Sequence, residues 1–255
     1  MGRHHDDFAT LVEEARRAPV DGWDFSWLEG RATEERPPWG YARLLGRRLA
    51  TVHSALDLDT GGGEVLDEAP VLPPLMAVTE SWPPNAALAA ARLGPRGVVV
   101  TVPGDDGWLP FPDGVFDLVS ARHPVRTDWP QIARVLRPGG AFLAQEVGPR
   151  SVAELGEYFL GPWPQPDPRE PEAARAAAEA AGLRVVDLRT ATLRTVFHDI
   201  GAVVWFLRKV VWIVPGFTVE RHLPALRRLH QQIREQGPFT AHTTRFLIEA
   251  RKPGP

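Results

Sequence analysis

A run of short apolar segments, each four to seven residues long, constrains the fold of this chain most. They stand at residues 55–59 ("ALDLD"), 75–78 ("LMAV"), 97–102 ("GVVVTV"), 115–120 ("VFDLVS") and 141–147 ("AFLAQEV"). Each reads as a strand, and segments with helical character separate them: an Ala-rich stretch at 85–93, a helix at 128–136, and an Ala-rich helix at 171–181 stopped by Gly182. Two further strands are expected at 183–188 and 243–250. Short apolar strands alternating with helices imply a mostly parallel sheet with helices on both faces. The expectation is an α/β, doubly wound, seven-stranded sheet.

Upstream, residues 6–18 form an amphipathic helix, with Phe8, Leu11, Val12 and Ala15 on one face and Pro19 ending it. A second helix is expected from 41 to about 52. Between them lies "DGWDFSWLEGRATEERPPWGY", rich in aromatics and broken by Gly and Pro. About fifty residues between the last two strands exceed what a minimal doubly wound fold needs. Their helical pattern, at 200–214 and 219–236 joined by "PGF", suggests a cap. The expected organisation is one domain over 1–255. It divides into an N-terminal lid segment (1–53), a ligand-binding core (54–192), a helical cap insertion (193–240) and a final strand with its tail (241–255).

Composition excludes several chemistries. The chain has 255 residues and no cysteine, so disulfides, thiol catalysis and cysteine-ligated metal centres are ruled out; no metal site is expected. A net charge of −3 supplies no global basic field for nucleic acid. The longest apolar run, 200–214, carries Arg208 and Lys209 in its middle and is too short to span a bilayer. The reading is of a cytoplasmic, soluble protein.

The stretch most informative about ligands is "LDLDTGGGEVL", residues 56–66. In an open α/β sheet, ligands bind outside the carboxyl ends of the strands, which is where this glycine turn falls. A dinucleotide fingerprint would need its third glycine at position 66, which is Leu; no Lys-Ser/Thr pair follows, so it is not a P-loop. Asp57, Asp59 and Glu64 around the turn would repel a pyrophosphate. They favour a ligand with positive charge and no phosphate.

S-adenosylmethionine (SAM), an ammonium and a sulfonium without phosphate, has that chemistry. The chain resembles the class I SAM-dependent methyltransferases, of the broad group called type 11, over roughly residues 55–147. The family's first-strand motif, Leu-Asp-Ile/Leu-Gly-Cys/Thr-Gly-x-Gly, matches Leu56, Asp57, Leu58, Asp59, Thr60, Gly61, Gly62 and Gly63, with Asp59 standing where the family has glycine. The resemblance implies a Rossmann-like methyltransferase fold in which Asp57, Thr60 and the Gly61–Gly63 backbone cradle the methionine half of the cofactor. Glu80, followed by Ser81, would bind the ribose hydroxyls. In "GDDGWLPFPDGVFDLV", Asp105 would accept from the adenine amino group and the Asp106 N–H would meet a ring nitrogen. "RVLRPGG" matches the turn before the fifth strand. Arg122 completes the expected cofactor set, and Asp59 is expected to turn its side chain away from the ligand.

Methyl transfer from a sulfonium is an in-line displacement that depends on positioning, with a base needed only if the acceptor must lose a proton. His123, just after the fourth strand, is the candidate base or orienting group. Trp23, Trp27, Trp39 and Tyr41 are candidates for a lid, with Arg31 reaching a carboxylate such as that of methionine. His198 sits at the mouth of the inserted helices, Asp199 reads as their helix cap, and Trp205 and Trp212 are candidate walls of an acceptor pocket. Three classes stay open: a small-molecule methyltransferase, an RNA or protein methyltransferase hinted at by "ARLLGRR" and "ALRRLHQQIR", and a non-catalytic SAM- or metabolite-binding protein.

Overall fold

The computed structural model describes residues 7–104, 107–163, 167 and 169–254. The chain divides into two compact units. One comprises residues 37–149, 168–191 and 245–255, and the other residues 1–36, 150–167 and 192–244. Among the described residues, eight strands follow the order β1-β7-β8-β6-β5-β2-β3-β4 in one sheet. They are β1 (Ala32–Glu34), β2 (Ser54–Leu58), β3 (Leu75–Thr79), β4 (Val99–Thr101), β5 (Phe116–Arg122), β6 (Leu136–Val147), β7 (Arg184–Phe197) and β8 (Phe239–Arg251).

The first unit is the doubly wound part. β2 pairs in parallel with β3 on one side and β5 on the other, β3 with β4, and β5 with β6; β8 joins β6 antiparallel. Every residue of β2 is buried, which explains why it is mainly apolar: a strand covered on both faces has no wet side. Alternation puts Leu56 and Leu58 on one face and Ala55 and Asp57 on the other. The first face forms a core with Ile132 and Val135 of α5 (Trp129–Val135) and Ala178 of α7 (Pro171–Ala180). The second packs against Leu45 and Leu49 of α2 (Tyr41–Leu49), Leu66 of α3 (Glu64–Asp67) and Leu93 of α4 (Pro83–Leu93).

The second unit is mainly helical. It contains α1 (Asp7–Arg17), α6 (Ala153–Leu160), α8 (Ile200–Lys209) and α9 (Val219–Gln236) around a core that includes Phe8, Phe197, Val203 and Leu229. Side chains from the loop before each helix cap α8 and α9: Asp199 accepts from Ala202 N–H at 2.8 Å and Thr218 from Arg221 N–H at 3.2 Å. The expected cap role of Asp199 is therefore met. Among the described residues no helix is long and apolar enough to cross a membrane.

Three features differ from the expected elements. Among the described residues the sheet has eight strands, because Ala32–Glu34 within the aromatic segment pairs antiparallel with the far end of β7, Ala32 opposite Phe197. Residues 37–53, expected to belong with the N-terminal lid, belong to the sheet unit. Helix α6 was not foreseen; its Gly156 lies where any Cβ would run into the Trp163 ring, so the residue that weakens the helix signal is required by packing. The "RPGG" turn is present as an irregularity at the start of β6: Leu136 pairs with Phe116 and Ala141 with Leu118, and the residues between loop out.

Phe142 tests the first core. It is fully buried on β6, with its ring edge-on to Trp129 at 5.2 Å. Phe142→Ala is expected to lower unfolding stability by about 3–5 kcal/mol in a urea titration; a loss below about 1 kcal/mol would contradict this packing.

Candidate functional site

The glycine turn leaves β2 at the carboxyl end of the parallel strands. Thr60 N–H donates to Thr79 O at 3.0 Å and Gly63 N–H to Thr60 O at 3.2 Å, closing a tight turn. Gly61 (φ 64°) and Gly63 (φ 81°) occupy the left-handed region where glycine is favoured. A second constraint comes from α4. A Cβ on Gly63 would lie 2.7 Å from Leu93 Cδ1, and one on Gly62 would strike the Glu64 carboxylate. Arg92 of α4 donates to Gly62 O and, at 2.6 Å, to Glu64 Oε1. Glu64 is thus turned to Arg92 and does not fence the turn as the sequence suggested; Asp57 and Asp59 remain to do so. The helix that follows has four residues and opens on Glu64, so it offers a phosphate neither a developed dipole nor a charge-free entrance.

Asp57 is buried, 5% exposed, and its Oδ1 accepts from Ser120 Oγ at 2.5 Å, the residue opposite it on β5. Burial pushes its pKa up to about 6, against the pull of hydrogen bonds from Ser120 and Thr60 and of the Arg122 charge; Asp59 pushes the same way as burial. No cation lies within ion-pair distance of it among the described residues. A carboxylate so placed gains from a ligand cation.

Asp59 departs from ordinary backbone geometry. Its φ is 50°, a conformation that costs a non-glycine residue about 1 kcal/mol. What holds it there is its side chain. Oδ2 accepts from Val125 N–H at 3.0 Å, tying the glycine turn to the loop after β5, while its own N–H meets Thr79 Oγ1 at 3.3 Å. Burial raises its pKa and the Val125 bond opposes that.

Glu80 directly follows β3, beside the turn. Its carboxylate accepts from Gly61 N–H and from Trp82 N–H, each at 2.8 Å, and the residue is 6% exposed. The acid is therefore aimed by two backbone donors, one from the glycine turn itself. Ser81 and Trp82 are exposed; Trp82 was not singled out by sequence, although it immediately follows the expected ribose-binding pair. Asp105 and Asp106 lie outside the described residues. Their neighbours are held: Gly107 N–H donates to Gly104 O at 2.9 Å, and Arg134 donates to Leu109 O at 2.8 Å and Phe111 O at 2.7 Å.

The ends of β5 and β6 bring together residues that the sequence left scattered. Arg122 is opposite Gln145. His123 follows with φ 54°; its N–H donates to Gln145 O at 2.7 Å, and its Nε2 lies 3.0 Å from Gln145 Nε2. Gln145 Oε1 accepts from the Trp39 indole at 2.7 Å. Burial, reinforced by the Arg245 and Arg122 charges, holds the His123 pKa well below the usual imidazole range. Tyr41 is buried and donates to Ala121 O at 2.8 Å, and its pKa is pushed well up, chiefly by burial. Trp39 and Tyr41 are accordingly part of the sheet unit's strand ends, and the lid expected of them is not what their bonds describe. Gln145 was missed because a strand pattern does not reveal which polar residue closes it.

The remaining expected residues lie in the helical unit. Trp205 is 1% exposed, stacked on Trp27 at 5.6 Å, and donates to Pro19 O at 3.0 Å. It is a core residue and not the pocket wall anticipated. Arg31 is engaged by Glu14 at 2.6 Å and lies over the Trp27 ring, so its guanidinium already has a carboxylate. His198 is exposed, its N–H donating to Arg31 O at 2.9 Å. Trp23 and Trp212 are about half exposed and face each other at 6.2 Å.

No family model matches the chain, and no curated relative matches its sequence. Solved structures match its fold. A protein from Bacillus halodurans C-125 described as a candidate methyltransferase superposes with a TM-score of 0.57 at 20% identity, covering 83% of this chain and 98% of that one. The [4+2]-cyclase SpnF superposes at 0.52 and 18%, covering 97% and 93%. A geranyl diphosphate methyltransferase in complex with geranyl diphosphate and sinefungin superposes at 0.51 and 15%, covering 84% and 78%. The chain therefore has the Rossmann-like fold of the class I methyltransferases.

Two outcomes test this geometry. Because the folded pKa of Asp57, about 6, exceeds its ordinary value of 3.8, the folded state holds the proton more tightly. Its stability relative to the unfolded chain is then greatest below about pH 4 and falls as pH rises through 6. Asp57→Asn should raise stability at pH 8 by up to about 3 kcal/mol and leave it unchanged near pH 3.5; an equal effect at both pH values would contradict the burial argument. Asp59→Gly relieves the backbone strain but removes the tie to Val125. Losing a bond worth about 1–3 kcal/mol should speed hydrogen exchange at the Val125 amide roughly five- to hundredfold, and unchanged exchange would show that the tie is not what holds that loop.

Proposed function

We propose that this chain, on its class I methyltransferase fold, binds S-adenosylmethionine and catalyses transfer of its methyl group to a small-molecule acceptor. The observation that carries the reading is Asp57: a buried carboxylate at the end of the central strand, raised to about pKa 6 and lacking a cation, beside a glycine turn unsuited to phosphate. The donor and acceptor set fits the cofactor. Asp57 supplies negative charge for an ammonium or a sulfonium, Gly61–Gly63 and Thr60 the backbone cradle, and Glu80 a pre-aimed acceptor for ribose hydroxyls, while the Asp59 carboxylate is spent on Val125 N–H. Ser81, Asp105, Asp106 and Arg122 complete the assignment made by resemblance. Pro83 and Pro84 open α4, removing two N–H donors that a phosphate near Glu80 would use.

When bound, the cofactor supplies a methyl group on a sulfonium, a good leaving group. The protein's part is to orient and to exclude water. The small-molecule class is favoured by the geranyl diphosphate methyltransferase among the matches and by the lack of net positive charge. A second reading, a ligand-binding fold put to another reaction, has support in the match to a [4+2]-cyclase over nearly the whole chain; fold alone does not decide chemistry.

Calorimetry with SAM and with S-adenosylhomocysteine is the direct test. Binding of both is expected, about tenfold weaker at pH 5 than at pH 7, because the cation must meet an ionised Asp57. Failure of both to bind would overturn the reading; binding without label transfer from methyl-labelled SAM to any of a panel of small molecules would favour the second.

A further inference from the structure

The hydrogen bonds around His123 fix which of its nitrogens carries the proton. An indole N–H donates and never accepts, so the Gln145 atom 2.7 Å from Trp39 Nε1 is the carbonyl Oε1. The amide –NH2 is then the group that lies 3.0 Å from His123 Nε2. An –NH2 donates, so Nε2 must present its lone pair, and the ring proton sits on Nδ1. The backbone adds to the restraint: His123 N–H donates to the carbonyl of the same Gln145 at 2.7 Å. Gln145 is itself 3% exposed and cannot rotate freely.

We infer that His123 serves as a neutral hydrogen-bond donor, through Nδ1–H, to a ligand oxygen, and not as a proton-abstracting base, with Gln145 and Trp39 as the positioning residues that hold it so. The inference deepens the methyltransferase reading and rests on it for what the ligand is. Three observations support it. The lone pair that a base would need is already occupied by Gln145. The charged groups that bear on the ring, Arg122 at the end of β5 and Arg245 on β8, are both cations that oppose its protonation, and so does burial; the nearby Tyr41 hydroxyl on α2 stays neutral. Nδ1 has no partner among the described residues. The loop carrying His123 is moored to the glycine turn through Val125 and Asp59, which places the donor beside the proposed cofactor turn. The ligand chemistry implied is a carbonyl, carboxylate or other hydrogen-bond-accepting oxygen.

Nitrogen-15 NMR of histidine-labelled protein tests the inference without any ligand. In the wild-type chain, the His123 signals should show a protonated Nδ1 and an unprotonated Nε2, unchanged from pH 8 down to pH 5. In Gln145→Glu, the carboxylate accepts from both the indole and the imidazole; the proton should move to Nε2 and the apparent pKa should rise by at least one unit. Trp39→Phe, a milder change, should free the amide to turn over and give a mixture of the two tautomers. An Nε2–H tautomer in the wild type, or protonation of His123 between pH 6 and 7, would overturn the inference. Calorimetry with SAM on the same samples keeps the two readings apart. If SAM fails to bind while the tautomer is as expected, the methyltransferase reading falls and the account of His123 stands; binding with the opposite tautomer does the reverse.

Discussion

The burial of one uncompensated carboxylate organises this molecule's active end. Asp57 occupies a position that packing would give to an apolar residue: the inner face of the central strand, alternating with Leu56 and Leu58. A buried charge without a partner is costly, and a chain can relieve it by protonation, by hydrogen bonds or by a ligand of opposite sign. Ser120 and Thr60 give partial relief, yet the pKa stays raised. The glycine turn and the mooring through Asp59 follow this one uncompensated charge directly in the chain, and Glu80 is tied to the same turn through Gly61.

The doubly wound core was legible because its signals are local. All five parallel strands appeared as short, mainly apolar runs, because a strand covered on its faces by helices keeps few polar residues. Glu80 was legible through its spacing from the glycines. What could not be read depended on contacts distant in sequence. Ala32–Glu34 has no strand composition and pairs because the end of β7 offers an edge. The left-handed backbone of Asp59 is sustained by Val125, sixty-six residues away. Gln145 gains its meaning from Trp39 and His123, which no periodicity connects. Tyr41 was read as part of a lid and Trp205 as a pocket wall; burial placed the one beneath the strand ends and the other in the helical core.

The structural matches bear on the same division. Chains with about a fifth or less of their residues in common retain this sheet, while their described chemistries range from methyl transfer to cyclisation. Sheet order is set by many weak apolar contacts, which tolerate substitution as long as volume and pattern persist. Chemistry rests on a few polar groups at the strand ends, and these diverge freely.

The far side of the glycine turn has a consequence for the speed and cost of ligand capture. Arg92 grips Gly62 and Glu64, and Leu93 packs where a Gly63 side chain would be. The turn is therefore shaped when the chain folds, and not when a ligand arrives. Ordering a flexible residue costs about 1–2 kcal/mol, so a turn of three residues fixed beforehand spares a binding partner several kcal/mol of ordering. Capture then becomes closer to a rigid-body encounter than to a coupled folding event.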